Sequence, residues 1–534
     1  MGALQGEQPA SVATSVGAPT KEPGLVAEAE EAEEENPKAN SVTLENEHLK
    51  FSFLAWPYHP GFRITQAELK EFDRKKKAES TERIPVNLLE ESGFEVLGKM
   101  DSSLVTVKLA NRSDTSVTYV WEDTLGKEKH IDIILSGREL LISRPDSLDP
   151  LLFHCAEGLL PTEPGDKTER TLYQIYYRDG ENKVQYLNAK RVGQVSTGKR
   201  TIEPGPYDWV ALRNKYFTAI VLPSEPVVGR IMPRMTEDKR ISLAFDVEAG
   251  SEFTLYFGPQ DYDLLSGMGH KLNRIVELGG SAFRWLGIVI LRVFQFLYQI
   301  LGNYGVAIIV FSILMKLVFL PLSQVQQRSM RKMQVLQPKL KELQERFKDD
   351  KQRLNEETMK LYKLHGASPF KGCLPMLIQL PVFFGLYAVL RNVISLRGAP
   401  FINLFTVTIK NPVNLLNFIR IPAGELTWLV DLSQHDPFYI LPVLMGVASV
   451  FQSLLTNANP QQRAMTFMMP IFITVIFLNF PSGLQLYWFL FNLLSILEYT
   501  VFRRGAQSGG EQQWQRKQTR EIVSAKSLPK SSLR

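Results

Sequence analysis

The chain has 534 residues, with 61 Lys and Arg against 56 Asp and Glu, a formal net charge of +5. So small a surplus over that length argues against a nucleic-acid-binding protein, and two cysteines, Cys155 and Cys373, are too few for a disulfide framework. The length allows two or three domains. Near residue 280 the composition changes from polar and alternating to long apolar runs, so the mildly negative mean hydropathy averages a soluble half with a membrane half.

Residues 1–40 are rich in Ala, Glu, Pro and Ser, with a glutamate cluster from Glu28 to Glu35. Such a segment cannot bury a core and is expected to be a disordered acidic linker. It holds no apolar run of the signal-peptide type. Residues 41–262 are expected to form a β-sandwich. Alternation marks strands at 104–109, Val117 to Trp121, Ile131 to Leu135, and on both sides of the turn Asp179-Gly180. Residues 209–222 and 253–257 suggest further strands. Many short strands punctuated by Pro and Gly fit a sandwich. No His, Asp or Glu set has metal or catalytic spacing, so a binding or scaffold role is expected there and not an envelope enzyme. Cys155 lies in this half and Cys373 at the start of an apolar run, so both are expected to be unpaired thiols.

Residues 281–301 are apolar but interrupted by Arg284, Arg292, Gln295 and Gln299. A spanning helix would put Arg292 near mid-bilayer at a cost of about 3 kcal/mol, whereas a helix lying in the interface keeps both arginines wet. An interfacial amphipathic helix is therefore expected. Five spans follow, at 302–322, 373–391, 438–456, 464–480 and 484–502, each near the ~20 residues that cross a bilayer. Pro375, Pro381, Pro442 and Pro470 interrupt them, which packed neighbours tolerate. Residues 323–371 carry Arg328, Arg331, Lys332, Lys339 and Lys341, and the basic tail 503–534 opens with Arg503-Arg504. The positive-inside rule puts both in the cytoplasm and the β domain outside, and five spans agree with that parity.

Within 323–371, Met333, Leu336, Leu340, Leu343 and Phe347 recur at helical spacing. Asp349-Asp350 breaks the run, and Leu354, Leu361 and Leu364 mark a second helix ending at His365-Gly366. The expectation is a charged cytoplasmic helical hairpin, serving either as a partner-docking element or as a solvated dimerisation coil.

Lys316 sits inside the run VAIIVFSILMKLVFLPL. A charge there is a functional-site candidate by default. No acid lies in the central part of any span and Glu498 is near the last helix end, so Lys316 is expected to lack an internal acidic partner. It must then reach water, either by lining a wet cavity or by snorkelling about 9 Å toward the helix end. Ser312 lies one turn earlier on the same face. Gln379, Gln452, Asn479, Gln485 and Asn492 each interrupt an apolar run, as interhelical glue or as the lining of a hydrated half-channel. There is no phosphate loop, so no nucleotide or other cofactor is implied.

Four stretches carry a resemblance: GNYGVAIIVFSILMKLVFLPLS, KGCLPMLIQLPVFFGLY, DLSQHDPFYILPVLMG and MTFMMPIFITVIFLNFPSGLQLYWFLFNLLSILE. With the charged segment between the first two, residues 300–502 resemble the YidC family of membrane protein insertases. DWVALRNKYFTAIVLP and TLYFGPQ resemble the periplasmic domain of its Gram-negative members. The resemblance implies a bacterial inner-membrane protein whose five-helix core encloses a hydrophilic groove with one positive charge, usually arginine, that attracts the acidic tail of a client. Lys316 takes that position, Ser312 a hydroxyl position, and Tyr487 and Trp488 an aromatic pair of the last helix that contacts substrate. The implied partners are nascent membrane proteins, the lipid bilayer, ribosomes through the hairpin and basic tail, and for some members the Sec translocon. Lysine in place of arginine is a departure, since a desolvated lysine can lose its proton. Relatives also start with a spanning helix that residues 1–40 do not supply. The runner-up is a solute transporter or channel with an extracytoplasmic β domain, although no internal repeat of the transporter type is found.

Overall fold

The computed structural model describes residues 41–507 apart from 56–60, 76–82, 91–92, 99–106, 123–125, 145–149, 164–168, 203, 249–251, 281, 367–369, 400, 402–405, 410–412, 416–418, 422–423, 430 and 457–462. The acidic linker, the basic tail beyond residue 507 and the first half of the strand expected at 104–109 lie outside the described residues.

Seventeen strands come first. They are β1 Ser41–Glu45, β2 Leu49–Ala55, β3 Gly61–Lys75, β4 Arg83–Asn87, β5 Phe94–Gly98, β6 Lys108–Arg112, β7 Ser116–Glu122, β8 Glu128–Ser136 and β9 Glu139–Ser143. β10 Leu151–Cys155, β11 Gln174–Asp179, β12 Val184–Asn188, β13 Gly205–Arg213, β14 Phe217–Pro223, β15 Val227–Met235, β16 Ile241–Val247 and β17 Glu252–Pro259 follow, with helix α1 Ala189–Ser196 between β12 and β13. All described pairings are antiparallel. One layer runs β6-β7-β8-β9-β17-β14-β13-β11-β12. The other runs β15-β16-β10-β5-β3-β2-β1, with β4 beside β3. The layers join at one corner, where Gly205 to Tyr207 pair with Val227 to Gly229.

Period-two patterning explains the sandwich. Leu49, Phe51, Phe53 and Ala55 of β2 point inward, as do Ile131, Ile133 and Leu135 of β8. Rings from strands that share no backbone bonds meet across the gap: Phe51 and Phe94 each touch Phe257, at 5.6 and 5.4 Å between centroids, and Phe153 touches Phe253 at 5.0 Å. Cys155 is buried with a free thiol; the side chain of Cys373 lies outside the described residues.

The helical half holds α2 Tyr262–Gly267, α3 Arg284–Leu301, α4 Tyr304–Arg346, α5 Lys351–Leu364, α6 Phe370–Asn392, α7 Ile440–Thr456, α8 Arg463–Phe477 and α9 Ser482–Gln507. Capping sets the breaks. Gly302, in the left-handed conformation at φ 63°, closes α3, and the Asn303 side chain accepts from the Val306 amide to open α4. Asp350 accepts from the Arg353 amide to open α5, so the acidic pair ends one helix and caps the next. The span expected at 302–322 and the first helix expected within 323–371 form one helix of 43 residues, although it contains Pro321 and Pro338. α4 packs on α3, α6 and α9, and α7 lies between α8 and α9. Among the described residues, three helices are long and apolar enough to cross a membrane: Arg284–Leu301, Tyr304–Ser329 and Ser482–Val501. Leu377–Asn392, Ile440–Leu455 and Phe467–Phe477 are apolar but shorter.

The sandwich is clamped to the helices at its β13–β14 turn. Arg213, fully buried, donates to the Ile275 carbonyl at 2.6 Å. Tyr216 Oη meets Ser433 Oγ at 3.0 Å. From the helical side, Arg397 Nε donates to Glu163 at 2.5 Å and its Nη2 to the Asp73 carbonyl at 2.7 Å, while the guanidinium lies over the rings of Tyr216 and Phe217. Burial holds the Glu163 carboxyl above the usual carboxylate range, and Arg397 only partly offsets this.

Candidate functional site

The site grows from two helices that run parallel. Phe311 of α4 is level with Tyr487 of α9, their ring centroids 6.0 Å apart. On α9, Phe491, Ser495 and Glu498 are spaced by four and three residues and so share a face. On α4, Lys316 and Ser323 are two turns apart on one face. The two faces meet. Lys316 Nζ lies 2.8 Å from Glu498 Oε2, donates to Ser495 Oγ at 2.7 Å and sits 4.8 Å from the centre of the Phe491 ring. Ser323 Oγ donates to Glu498 Oε1 at 2.6 Å. The Lys316 and Glu498 side chains are both buried, at 9 and 4% exposure.

Lys316 is therefore not the unpaired, water-reaching cation that the sequence suggested. The sequence hides this acidic partner because Glu498 sits near the end of its apolar run. From the level of Phe311 and Tyr487, Lys316 is five residues along and Glu498 eleven. The axial gap is six residues, about 9 Å, which a lysine and a glutamate stem span together. The lysine does stretch along its helix as a snorkelling lysine would, but it ends on a carboxylate. The signal available in the sequence was the spacing of Phe491, Ser495 and Glu498, opposite Lys316 and Ser323.

The other candidate residues separate. Ser312 is buried one turn before Lys316, its hydroxyl turned back to the Ile308 carbonyl at 2.7 Å. Gln379 of α6 reaches Tyr487 Oη at 3.3 Å, which brings two of them together. Trp488 packs edge-on against Phe383 at 5.7 Å and beside Phe477. Gln485 has a capping role: its Nε2 donates to the carbonyls of Phe477 and Phe480, at 2.8 and 2.9 Å, where α8 ends. Asn479 is exposed in the turn after α8 and not within a helix, because Phe477 is the last helical residue. Gln452 is half-buried on α7. Asn492 donates to Ser449 Oγ at 2.7 Å and ties α9 to α7. Among the described residues no group of His, Cys, Asp and Glu could hold a metal.

The outer surface completes the description. Val443, Val447, Phe451 and Leu454 of α7 are exposed, as are Met468, Ile471, Phe472 and Val475 of α8. An apolar surface that large does not face water in a soluble monomer. Apolar helices with an apolar outside and a buried ion pair between them, capped by a β-sandwich, define a membrane protein with an extramembrane domain. The family model for the 60Kd inner membrane protein matches residues 296–509, and that for the YidC periplasmic domain matches residues 161–293. The membrane protein insertase YidC of Geotalea uraniireducens (strain Rf4) is 33% identical over 400 residues, 72% of this chain and 68% of the relative. That of Oleidesulfovibrio alaskensis is 39% identical over 298 residues, 54% of this chain and 52% of the relative. A solved active YidC insertase aligns over 86% of this chain and 92% of its own, at 17% identity and a TM-score of 0.38. The chain belongs to the YidC family of membrane protein insertases. Its matched part spans about half the length of the second of these relatives and about two thirds of the first.

Proposed function

We propose that the chain is a membrane protein insertase and folding chaperone, which moves the hydrophobic segments and short polar tails of nascent proteins into the inner membrane. The observation that carries this reading is the Lys316–Glu498 pair, a charged, exchangeable group between α4 and α9 in an otherwise apolar bundle. A charge in hydrocarbon costs several kcal/mol. A client carboxylate that takes over Lys316 is spared part of that cost. Ser312, Gln379, Tyr487 and Trp488 are the neighbours a client would meet there, and the chemistry is noncovalent throughout.

In this reading α4, α6, α7, α8 and α9 are the five spans of residues 302–502. The hairpin of residues 323–371 and the basic tail 503–534 face the cytoplasm, where ribosomes deliver nascent chains, and the Sec translocon is a further partner. The sandwich of residues 41–262 lies in the periplasm. The helix of residues 281–301 lies in the interface although its length would allow it to span. Arg292 pairs with Asp263 of α2 at 2.6 Å, and Gln295 donates to the same carboxylate at 2.8 Å. That contact supports the interfacial placement, because it ties the middle of α3 to the extramembrane domain.

Depletion of the native insertase with complementation by this chain tests the reading, scored on a single-span client with an acidic tail. Lys316→Arg preserves insertion and Lys316→Leu impairs it. Equal insertion by the leucine variant would remove Lys316 from the mechanism.

A further inference from the structure

Resting on that insertase reading, we propose that Glu498 forms a second subsite beside Lys316, which takes the ammonium or guanidinium of a basic client segment.

The geometry for this is the distribution of partners around the ion pair. A buried pair is costly to open, because each partner is left as an uncompensated charge. Here each ion has a neutral partner of its own. Lys316 is bonded to Ser495 at 2.7 Å and lies on the face of Phe491. Glu498 is bonded to Ser323 at 2.6 Å. When a client carboxylate takes Lys316, Glu498 stays on Ser323. When a client cation takes Glu498, Lys316 stays on Ser495.

Position also favours a basic segment. Ser323 is seven residues beyond Lys316, about 10 Å further toward the hairpin end of α4. A chain entering from that end meets the acidic subsite before the lysine. The resident pair thereby handles tails of either sign, where a lone cation would repel basic ones.

The test uses the full chain in proteoliposomes and three versions of one single-span client, with two Asp, two Lys or two Gln in the translocated tail. Insertion of each charged tail is read as a ratio to the Gln tail. Glu498→Gln lowers the basic-tail ratio about tenfold, the loss expected for one charged hydrogen bond, and does not lower the acidic-tail ratio. The serines cross over. Ser495→Ala lowers the basic-tail ratio alone, because it strips the partner on which Lys316 waits, and Ser323→Ala lowers the acidic-tail ratio alone. If Glu498→Gln fails to accumulate in the membrane, Ser495→Ala carries the test with both charges in place. A fall of both ratios together in Glu498→Gln, or an unmoved basic-tail ratio in Glu498→Gln and Ser495→Ala, overturns the second subsite and assigns the pair a bracing role. Lys316→Leu separates the two readings: if it leaves the acidic-tail ratio unmoved, the insertase role of Lys316 fails; if it lowers that ratio while Glu498→Gln spares the basic tail, only this inference fails.

Discussion

The sandwich and the helical bundle both bury an apolar core, but they differ in what they turn outward. In the sandwich the interior is aromatic and aliphatic, with Phe51, Phe153 and Leu255 fully enclosed, and charges such as Arg230 and Glu252 lie outside. In the bundle Val447, Phe472 and Leu497 face outward, while Lys316, Gln485, Asn492, Ser495 and Glu498 are enclosed. The same side-chain chemistry obeys two rules because the surroundings differ. Water drives apolar surface inward in one half. In the other, lipid is as apolar as leucine, and polar contacts between helices decide the packing.

The sharpest challenge to this contrast is the buried pair. Lys316→Leu leaves Glu498 uncompensated and is expected to destabilise the bundle by about 3–5 kcal/mol. Lys316→Leu combined with Glu498→Leu recovers to within about 1 kcal/mol of the parent. Thermal unfolding in detergent measures both, and equal loss in the single and double variants would mean that the pair is not coupled. Phe153→Ala in the sandwich creates a cavity beside Phe245 and Phe253 and costs about 3–5 kcal/mol, which limited proteolysis of the full chain reads as earlier cleavage within residues 41–259.

Next come matched surface changes. Val447→Lys, at a position 64% exposed on α7, should cost about 3 kcal/mol in a bilayer if that face meets lipid. Leu141→Lys, on the outer face of β9, should stay within about 0.5 kcal/mol. Similar costs at the two sites would break the contrast. The smallest effect concerns Cys155, whose thiol burial pushes up to about 12. In a Cys373→Ala background, maleimide labelling at pH 8 is slow until the chain is unfolded, because both thiolate formation and access are suppressed.

Much of this contrast was legible in the residues. Alternation gave β7 within one residue at each end and β8 within three, since a half-buried sheet leaves a period-two trace. The break at Asp349-Asp350 was legible because a carboxylate that ends one helix can cap the next. What could not be read was set by tertiary contact. Gln485 resembled a groove residue, yet it caps α8 across a turn. Asn479 resembled a span residue, yet α8 stops at Phe477. Glu498 resembled a residue of the membrane boundary until the parallel run of α4 and α9 brought it to Lys316. The joining of the two layers at the β13–β15 corner also depends on pairings remote in sequence, which periodicity does not encode.

The unbroken course of α4 makes it a lever. Its 43 residues reach about 65 Å, roughly twice the hydrocarbon thickness of a bilayer, so force applied to the outer arm is delivered as tilt or twist at Lys316. Whatever grips that arm works on the ion pair from a distance, with Pro321 as the point where the shaft yields first.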